Sequence, residues 1–190
     1  GCGWGALARK LACEHDASVT ALTLSKEQRA HARAVAEKHG LGDRIDIRLE
    51  DYRDVEGTFD RAVSIEMLEA VGEAYWPAYF STLRRCLKPG GRAVLQVITI
   101  AEKRYHSYRA GAEFIQTHIF PGGMLPSKSL LRSHIEAAGL TLAQSESFGP
   151  SYARTLAEWR IRFHRAWPHI EKLGFDEHFR RMWDYYLCYC

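Results

Sequence analysis

The first five residues, Gly1-Cys2-Gly3-Trp4-Gly5, set three glycines at alternate positions. Glycines at a strand-to-helix junction let backbone N–H groups face a ligand without Cβ obstruction, at the positive end of a helix dipole. Gly1, Gly3 and Gly5 therefore point to a bound nucleotide or nucleoside, with a merely tight turn as the bland alternative. The run also satisfies the relaxed Gly-x-Gly-x-x-Gly/Ala dinucleotide pattern. Against a nicotinamide cofactor stands Thr23-Leu24-Ser25, which supplies no carboxylate to hold a ribose. Gln28 reaches either an adenosine or, as the partner of Ser25 in a capping box, the start of its own helix. None of the nine histidines has metal-ligand spacing beside a carboxylate, so no metal site is expected; only His118, next to an insertion described below, invites a test.

The elements that must position these residues alternate. Ala6 to about His15 reads as a helix, Ser18–Leu24 as a buried strand, and Ser25-Lys26-Glu27-Gln28 as the capped start of a polar helix that stops at Gly40/Gly42. Ile45, Ile47 and Leu49 alternate as a third strand, counting one expected before Gly1. Phe59–Ile65 gives a fourth, Tyr75–Leu87 a helix, Lys88-Pro89-Gly90-Gly91 a turn, and Ala93–Ile100 a fifth strand. That alternation predicts an α/β fold with a mostly parallel sheet covered by helices on both faces, its ligands lying beyond the carboxyl ends of the strands. After Ile100 the rhythm changes. A Tyr/His/Arg-rich insertion (Tyr105–Phe120) runs into Pro121-Gly122-Gly123-Met124-Leu125-Pro126, then a helix near Ser129–Ala138 and a strand over Leu140–Ser147. The last forty residues read as helical, with Leu156, Trp159, Phe163, Trp167 and Ile170 on one face.

The 190 residues carry 26 Lys+Arg against 23 Asp+Glu, a net charge of +3, the profile of one soluble globular domain. Disorder, collagen and coiled coil are excluded. The apolar run Ala93–Ala101 is far short of the ~20 residues that span a bilayer. Five cysteines, an odd number without a CxxC pair, favour reduced thiols in a cytoplasm. The small basic excess permits attraction to an anionic membrane. Because the chain begins inside a glycine loop with no strand before it, it reads as a fragment.

Six blocks in order carry a family resemblance: the glycine loop, Leu22–Gln28, Asp51-Tyr52-Arg53-Asp54, Ser64–Gly72, Ile119–Ser127 and Tyr152-Ala153-Arg154-Thr155-Leu156. Together they resemble the cyclopropane-fatty-acyl-phospholipid synthase family of S-adenosylmethionine-dependent methyltransferases, over the whole of Gly1 to Cys190. The resemblance implies a single class I methyltransferase domain with a Rossmann-like sheet, a lid over residues 101–126 and C-terminal helices over 152–190. It also implies that the first strand, a helical N-terminal segment and the closing strand are missing.

By the same resemblance, Gly1, Cys2, Gly3, Trp4 and Gly5 hold the amino-acid portion of S-adenosylmethionine, Thr23, Leu24 and Gln28 its ribose and adenine, and Asp51 and Tyr52 flank the adenine. Glu69 and Tyr152 match residues that hold a bicarbonate ion beside the transferred methyl group. Gln96 stands where better-studied members carry a histidine; an amide still hydrogen-bonds but carries no proton. Glu66 stands where many members have a small residue, and either pairs with a neighbour or meets an altered substrate. The implied substrate is an unsaturated phospholipid acyl chain at the inner face of the membrane, met by a cytoplasmic, peripheral enzyme whose Arg104, Arg109, Arg160, Arg162 and Arg165 could face phosphates. No nucleic acid is expected, and a homodimer is left open. N-methylation of a small hydrophobic amine, and a cofactor-binding scaffold without turnover, remain the alternatives.

Overall fold

The computed structural model describes residues 1–190. In chain order it contains α1 (Ala6–His15), β1 (Val19–Thr23), α2 (Lys26–Lys38), β2 (Ile45–Leu49), β3 (Phe59–Ile65), α3 (Leu68–Val71), α4 (Trp76–Cys86), β4 (Leu87–Gln96), α5 (Glu102–Ala110), α6 (Lys128–Ala137), α7 (Gly149–Ile170) and α8 (Glu177–Tyr189). The chain divides into two compact units, Gly1–Gly111 with Gly122–Thr141, and Ala112–Pro121 with Leu142–Cys190.

In the first unit, β1 lies parallel to β2 in a register running from Val19 opposite Ile45 to Thr23 opposite Leu49. The alternation foreseen for β2 holds, with Ile45 and Ile47 buried and Asp46 exposed, as a period of two demands. The helices that cover this pair are alanine-rich: Ala8, Ala12, Ala32 and Ala36 join Ala21, Leu41, Ile45 and Ile47 in one core, small side chains letting helix and strand backbones come close.

The second ladder pairs β3 with β4, also parallel, from Arg61 opposite Arg92 to Ile65 opposite Gln96. Against it α4 buries Trp76, Tyr79 and Phe80, and His134 of α6 stacks on Phe80 with the rings 5° apart. The expected parallel sheet is thus present as two ladders that share no strand. At the carboxyl end of β1 the glycine loop is tied in, the Cys2 N–H donating to Leu22 O (2.6 Å).

Three local expectations change. Lys88–Gly91 is a bulge inside β4, not a free turn, because Leu87 already pairs with Phe59 before Arg92 pairs with Arg61. A Cβ on Gly91 would come within 2.9 Å of Lys88 O and 3.3 Å of Asp60 O, so the bulge closes only with glycine there. The following strand ends at Gln96, and Ile100 makes a lone bridge to Ser127. Leu140–Ser147 forms no strand: Ala143–Ser147 is exposed, and the polar run Gln144-Ser145-Glu146-Ser147 offers no apolar face to a sheet.

The second unit is built on α7 and α8. Leu156, Tyr186 and Leu187 form its buried centre, with Phe114, Ile115, Ile119, Phe163 and Trp183 packed around them. An aromatic ladder runs along α8, with ring centroids 4.5 Å apart for Phe175–Phe179, 5.6 Å for Phe179–Trp183 and 5.0 Å for Trp183–Tyr186. Asp184 ties the two helices, accepting from Arg160 Nε at 2.6 Å and meeting His164 Nε2 at 2.5 Å. Trp159, expected on the apolar face of α7, is 45% exposed, so that face is narrower than its spacing suggests. No helix is long and apolar enough to cross a membrane.

Candidate active site

The glycines of the first loop divide their work. Gly3 and Gly5 both sit in the left-handed region, at φ 55° and 83°, where a side chain is strained. A Cβ on Gly5 would lie 2.8 Å from Ala32 Cβ, so this glycine lets the start of α1 press against α2. Nothing lies within 4 Å of a Cβ built on Gly1 or Gly3, so the space before those two is open. Cys2 is half-buried, and burial pushes its thiol up. Trp4 is largely exposed, with its ring edge-on to His31 of α2 at 5.4 Å.

At the carboxyl end of β1, buried Thr23 accepts from the Ser25 N–H (3.1 Å) and donates its hydroxyl to Gln28 Oε1 (2.8 Å). Ser25 Oγ accepts from the Gln28 N–H at 3.1 Å, as an N-cap should. Only half of the capping box forms, because the Gln28 side chain turns to Thr23 and not to the Ser25 N–H. Leu24, beside them, is 74% exposed. After β2, Asp51 accepts from Arg53 Nε (2.9 Å), Nη2 (2.7 Å) and backbone N–H (2.9 Å), and the guanidinium holds its carboxyl below the ordinary range. The Tyr52 ring meets Tyr79 edge-on at 5.8 Å.

The turn from β3 into α3 carries the carboxylates. Glu66 adopts φ 49°, unusual for a residue with a side chain. Two hydrogen bonds fasten it to the end of β4: its N–H donates to Gln96 O (2.9 Å), and Gln96 Nε2 donates to its Oε1 (2.8 Å). Leu68 is buried under the turn, and its carbonyl accepts from the indole N–H of Trp76 at 3.2 Å.

Glu69 follows. Its Oε1 accepts from the Ile98 N–H at 2.5 Å, while its Oε2 is buried without a hydrogen-bond partner. Burial pushes the carboxyl above its usual range, the Ile98 N–H opposes the rise, and the charge of Glu66 adds to it. The Glu69 carbonyl accepts from the Met124 N–H (2.9 Å), tying the Pro-Gly-Gly-Met block to the same turn. Beneath, burial drives the Tyr79 hydroxyl up to about 12.

Among the sequence candidates, the first unit thus brings together Gln96 with Glu66, and Thr23 with Gln28. Tyr152 stands in α7 of the second unit, half-buried, its ring edge-on to Trp159 at 6.4 Å. Three of the arginines considered for phosphates pair within the chain: Arg109 with Glu73, Arg160 with Asp184 and Arg162 with Glu158. Sequence reasoning missed the backbone N–H of Ile98, which no residue type could have signalled. It also missed Tyr79, whose role depends on packing. A separate groove of about 580 Å³ runs along α2 and β2, lined by Arg29, Arg33, Glu37, Asp46, Arg48 and Glu50 among others; charges of both signs border it, and none of the residues above lines it.

Comparison with known proteins bears on this arrangement. The model of the mycolic acid cyclopropane synthetase family matches residues 1–190. The chain is 43% identical, over its whole length and 44% of the relative, to tuberculostearic acid methyltransferase UfaA1 of Mycobacterium tuberculosis (strain ATCC 25618 / H37Rv). It is 39% identical, over its whole length and 47% of the relative, to the cyclopropane-fatty-acyl-phospholipid synthase of Escherichia coli (strain K12). The crystal structure of mycolic acid cyclopropane synthase CmaA1 complexed with SAH and CTAB superposes with a TM-score of 0.89 at 30% identity, covering 98% of this chain and 68% of that one. The fold is therefore the α/β fold of that synthase, as the alternation of strands and helices foretold. The chain spans less than half the length of the two curated relatives.

Proposed function

This chain belongs to the mycolic acid cyclopropane synthetase family, and on that premise we propose that it forms the cofactor-holding part of an S-adenosylmethionine-dependent methyltransferase. Its substrate in this reading is the double bond of an unsaturated phospholipid acyl chain, met at the inner membrane surface by a peripheral, cytoplasmic enzyme. The product is a cyclopropane or a methyl- or methylene-branched chain.

The residues present fit the cofactor. The open space before Gly3 leaves room for a ligand against backbone N–H groups at the start of α1. In this reading Thr23 at the end of β1, Leu24 after it and Gln28 in the first turn of α2 meet its ribose and adenine, with Asp51 and Tyr52 after β2. Cys2 and Trp4 complete the loop. When bound, S-adenosylmethionine supplies an electrophilic methyl group.

One observation carries the chemistry: the buried, unpartnered Oε2 of Glu69. A buried acceptor without a donor is costly, and one retained next to a ligand loop is what a polar ligand would satisfy. An alkene that accepts a methyl cation becomes a carbocation, which must lose a proton to close a cyclopropane ring or to leave a methylene or other unsaturated branch. In this reading Glu69 holds a bicarbonate ion, the group that supplies the base, through that oxygen. Ile98 keeps the other oxygen fixed. Tyr152 is assigned the companion role by the family resemblance, and residues 101–126 the role of a lid.

The test uses the full-length protein on phospholipid vesicles, with and without added bicarbonate. Glu69→Gln and Tyr152→Phe should each lower turnover by roughly ten- to a thousand-fold, the range for a lost acid–base or oxyanion contact, with S-adenosylhomocysteine affinity little changed. Full activity in both variants sinks the assignment.

A further inference from the structure

The pair formed by Glu66 and Gln96 is not explained by binding the cofactor or by the role given to Glu69. Glu66 occupies a left-handed backbone conformation at φ 49°, a position that glycine would fill without strain. A carboxylate kept there at a conformational cost needs a reason. The structure supplies two fastenings to a single residue: the Glu66 N–H to Gln96 O at 2.9 Å, and Gln96 Nε2 to Glu66 Oε1 at 2.8 Å. The second fixes where the Glu66 side chain lies. Three residues on, one turn of chain away, stands Glu69 with one oxygen on the Ile98 N–H and the other buried and unpaired.

We infer that Glu66, held by Gln96, is a positioning residue for Glu69: its negative charge is fixed at this turn so that Glu69 acts as a carrier of a proton and not as a permanently charged anchor. The inference rests on the function proposed above and deepens it. Two carboxylates on one turn resist double ionisation, so a proton taken up by the pair settles on the buried partner. The direction of the shift on Glu69 agrees: burial leads it, backbone N–H groups oppose it, and the charge of Glu66 is the last and smallest cause, in the raising direction.

Other groups facing Glu69 do not compete for this role. Tyr79, from the packed α4, has a hydroxyl pushed up to about 12 and stays neutral through the working range. The segments Val97–Ile100 and Gly122–Ser127 that line the turn contain no ionisable side chain.

Two variants of the full-length protein separate charge from shape. Glu66→Gln keeps an oxygen for the Gln96 amide and removes the charge; Glu66→Gly removes the side chain and relieves the backbone. With 13C-labelled glutamate, the Glu69 δ-carbon, assigned by its loss in Glu69→Gln, is followed by NMR against pH. The expected result is a midpoint lower by at least roughly half a pH unit in both variants, with the matching limb of the turnover profile moving the same way. An unmoved midpoint in Glu66→Gln overturns the inference, whatever Glu66→Gly does. The NMR titration needs no turnover, so it decides the point even if calorimetry shows that S-adenosylhomocysteine does not bind and the proposed function falls.

Discussion

Gly5 offers a test in which the structure sets the magnitude. In Gly5→Ala the new methyl carbon would stand 2.8 Å from Ala32 Cβ, well inside the ~3.5–4.0 Å optimum for two carbons. Overpacking of this kind costs about 1–3 kcal/mol. The φ of 83° adds about 1–2 kcal/mol, because a side chain in the left-handed region crowds the following carbonyl. The sum is about 2–5 kcal/mol of destabilisation. The two contributions separate in a double-mutant cycle. Ala32→Gly alone weakens α2 by about 1 kcal/mol, but in the double variant it removes the clash and leaves only the backbone strain. Urea unfolding of the full-length protein, followed by tryptophan fluorescence, should give a favourable coupling of about 1–3 kcal/mol between the two sites. A coupling below about 0.5 kcal/mol would refute the claim that close approach of α1 and α2 fixes this glycine.

At Gly3, in contrast, a Cβ meets no atom of the protein and only the left-handed backbone opposes a side chain. Gly3→Val should therefore cost about 1–2 kcal/mol in urea unfolding and abolish S-adenosylhomocysteine binding by calorimetry while the circular dichroism spectrum stays that of the wild type. Thr23→Val removes the hydroxyl that accepts from Ser25 and holds Gln28; stability should fall by about 1–3 kcal/mol through the orphaned N–H, and cofactor affinity should fall with it. In the α7–α8 pair, Arg160 and then His164 hold the Asp184 carboxyl below its ordinary range. A carboxyl depressed in the folded state contributes stability above the unfolded value of ~3.9 and loses it as pH falls through the folded value. The stability gap between wild type and Asp184→Asn should therefore be widest near neutrality and close under acid, and a gap that grows on acidification would contradict the pairing.

The parts of this molecule that local chemistry decides were legible in the sequence. Ser25 announces the start of α2 because a hydroxyl before a helix has one good acceptor task, and Ile45 and Ile47 announce β2 because a half-buried strand alternates. What escaped depends on distant partners. Leu140–Ser147 looks extended, yet it joins neither ladder. Lys88–Gly91 reads as a turn, and only its register against Phe59 and Arg61 shows that it is a bulge. In the site, residue types revealed the glycines and drew attention to Glu66 and Gln96, while their mutual hydrogen bonds required the ladder that sets Ile65 opposite Gln96. The pinning of Glu69 by a backbone N–H has no sequence signature at all, since every residue but proline carries that donor.

The hydrogen bond from Trp76 to the Leu68 carbonyl makes the site self-reporting. Trp76 is fully buried, and its indole is fastened to the residue immediately before Glu69. Trp4, 58% exposed, rides on the glycine loop. A rapid-mixing experiment on variants retaining only one or the other tryptophan would therefore watch two events: the arrival of a ligand at the loop through Trp4, and the response of the carboxylate turn through Trp76. A lag between the two traces would time the response of the Glu69 turn to a ligand arriving at the glycine loop.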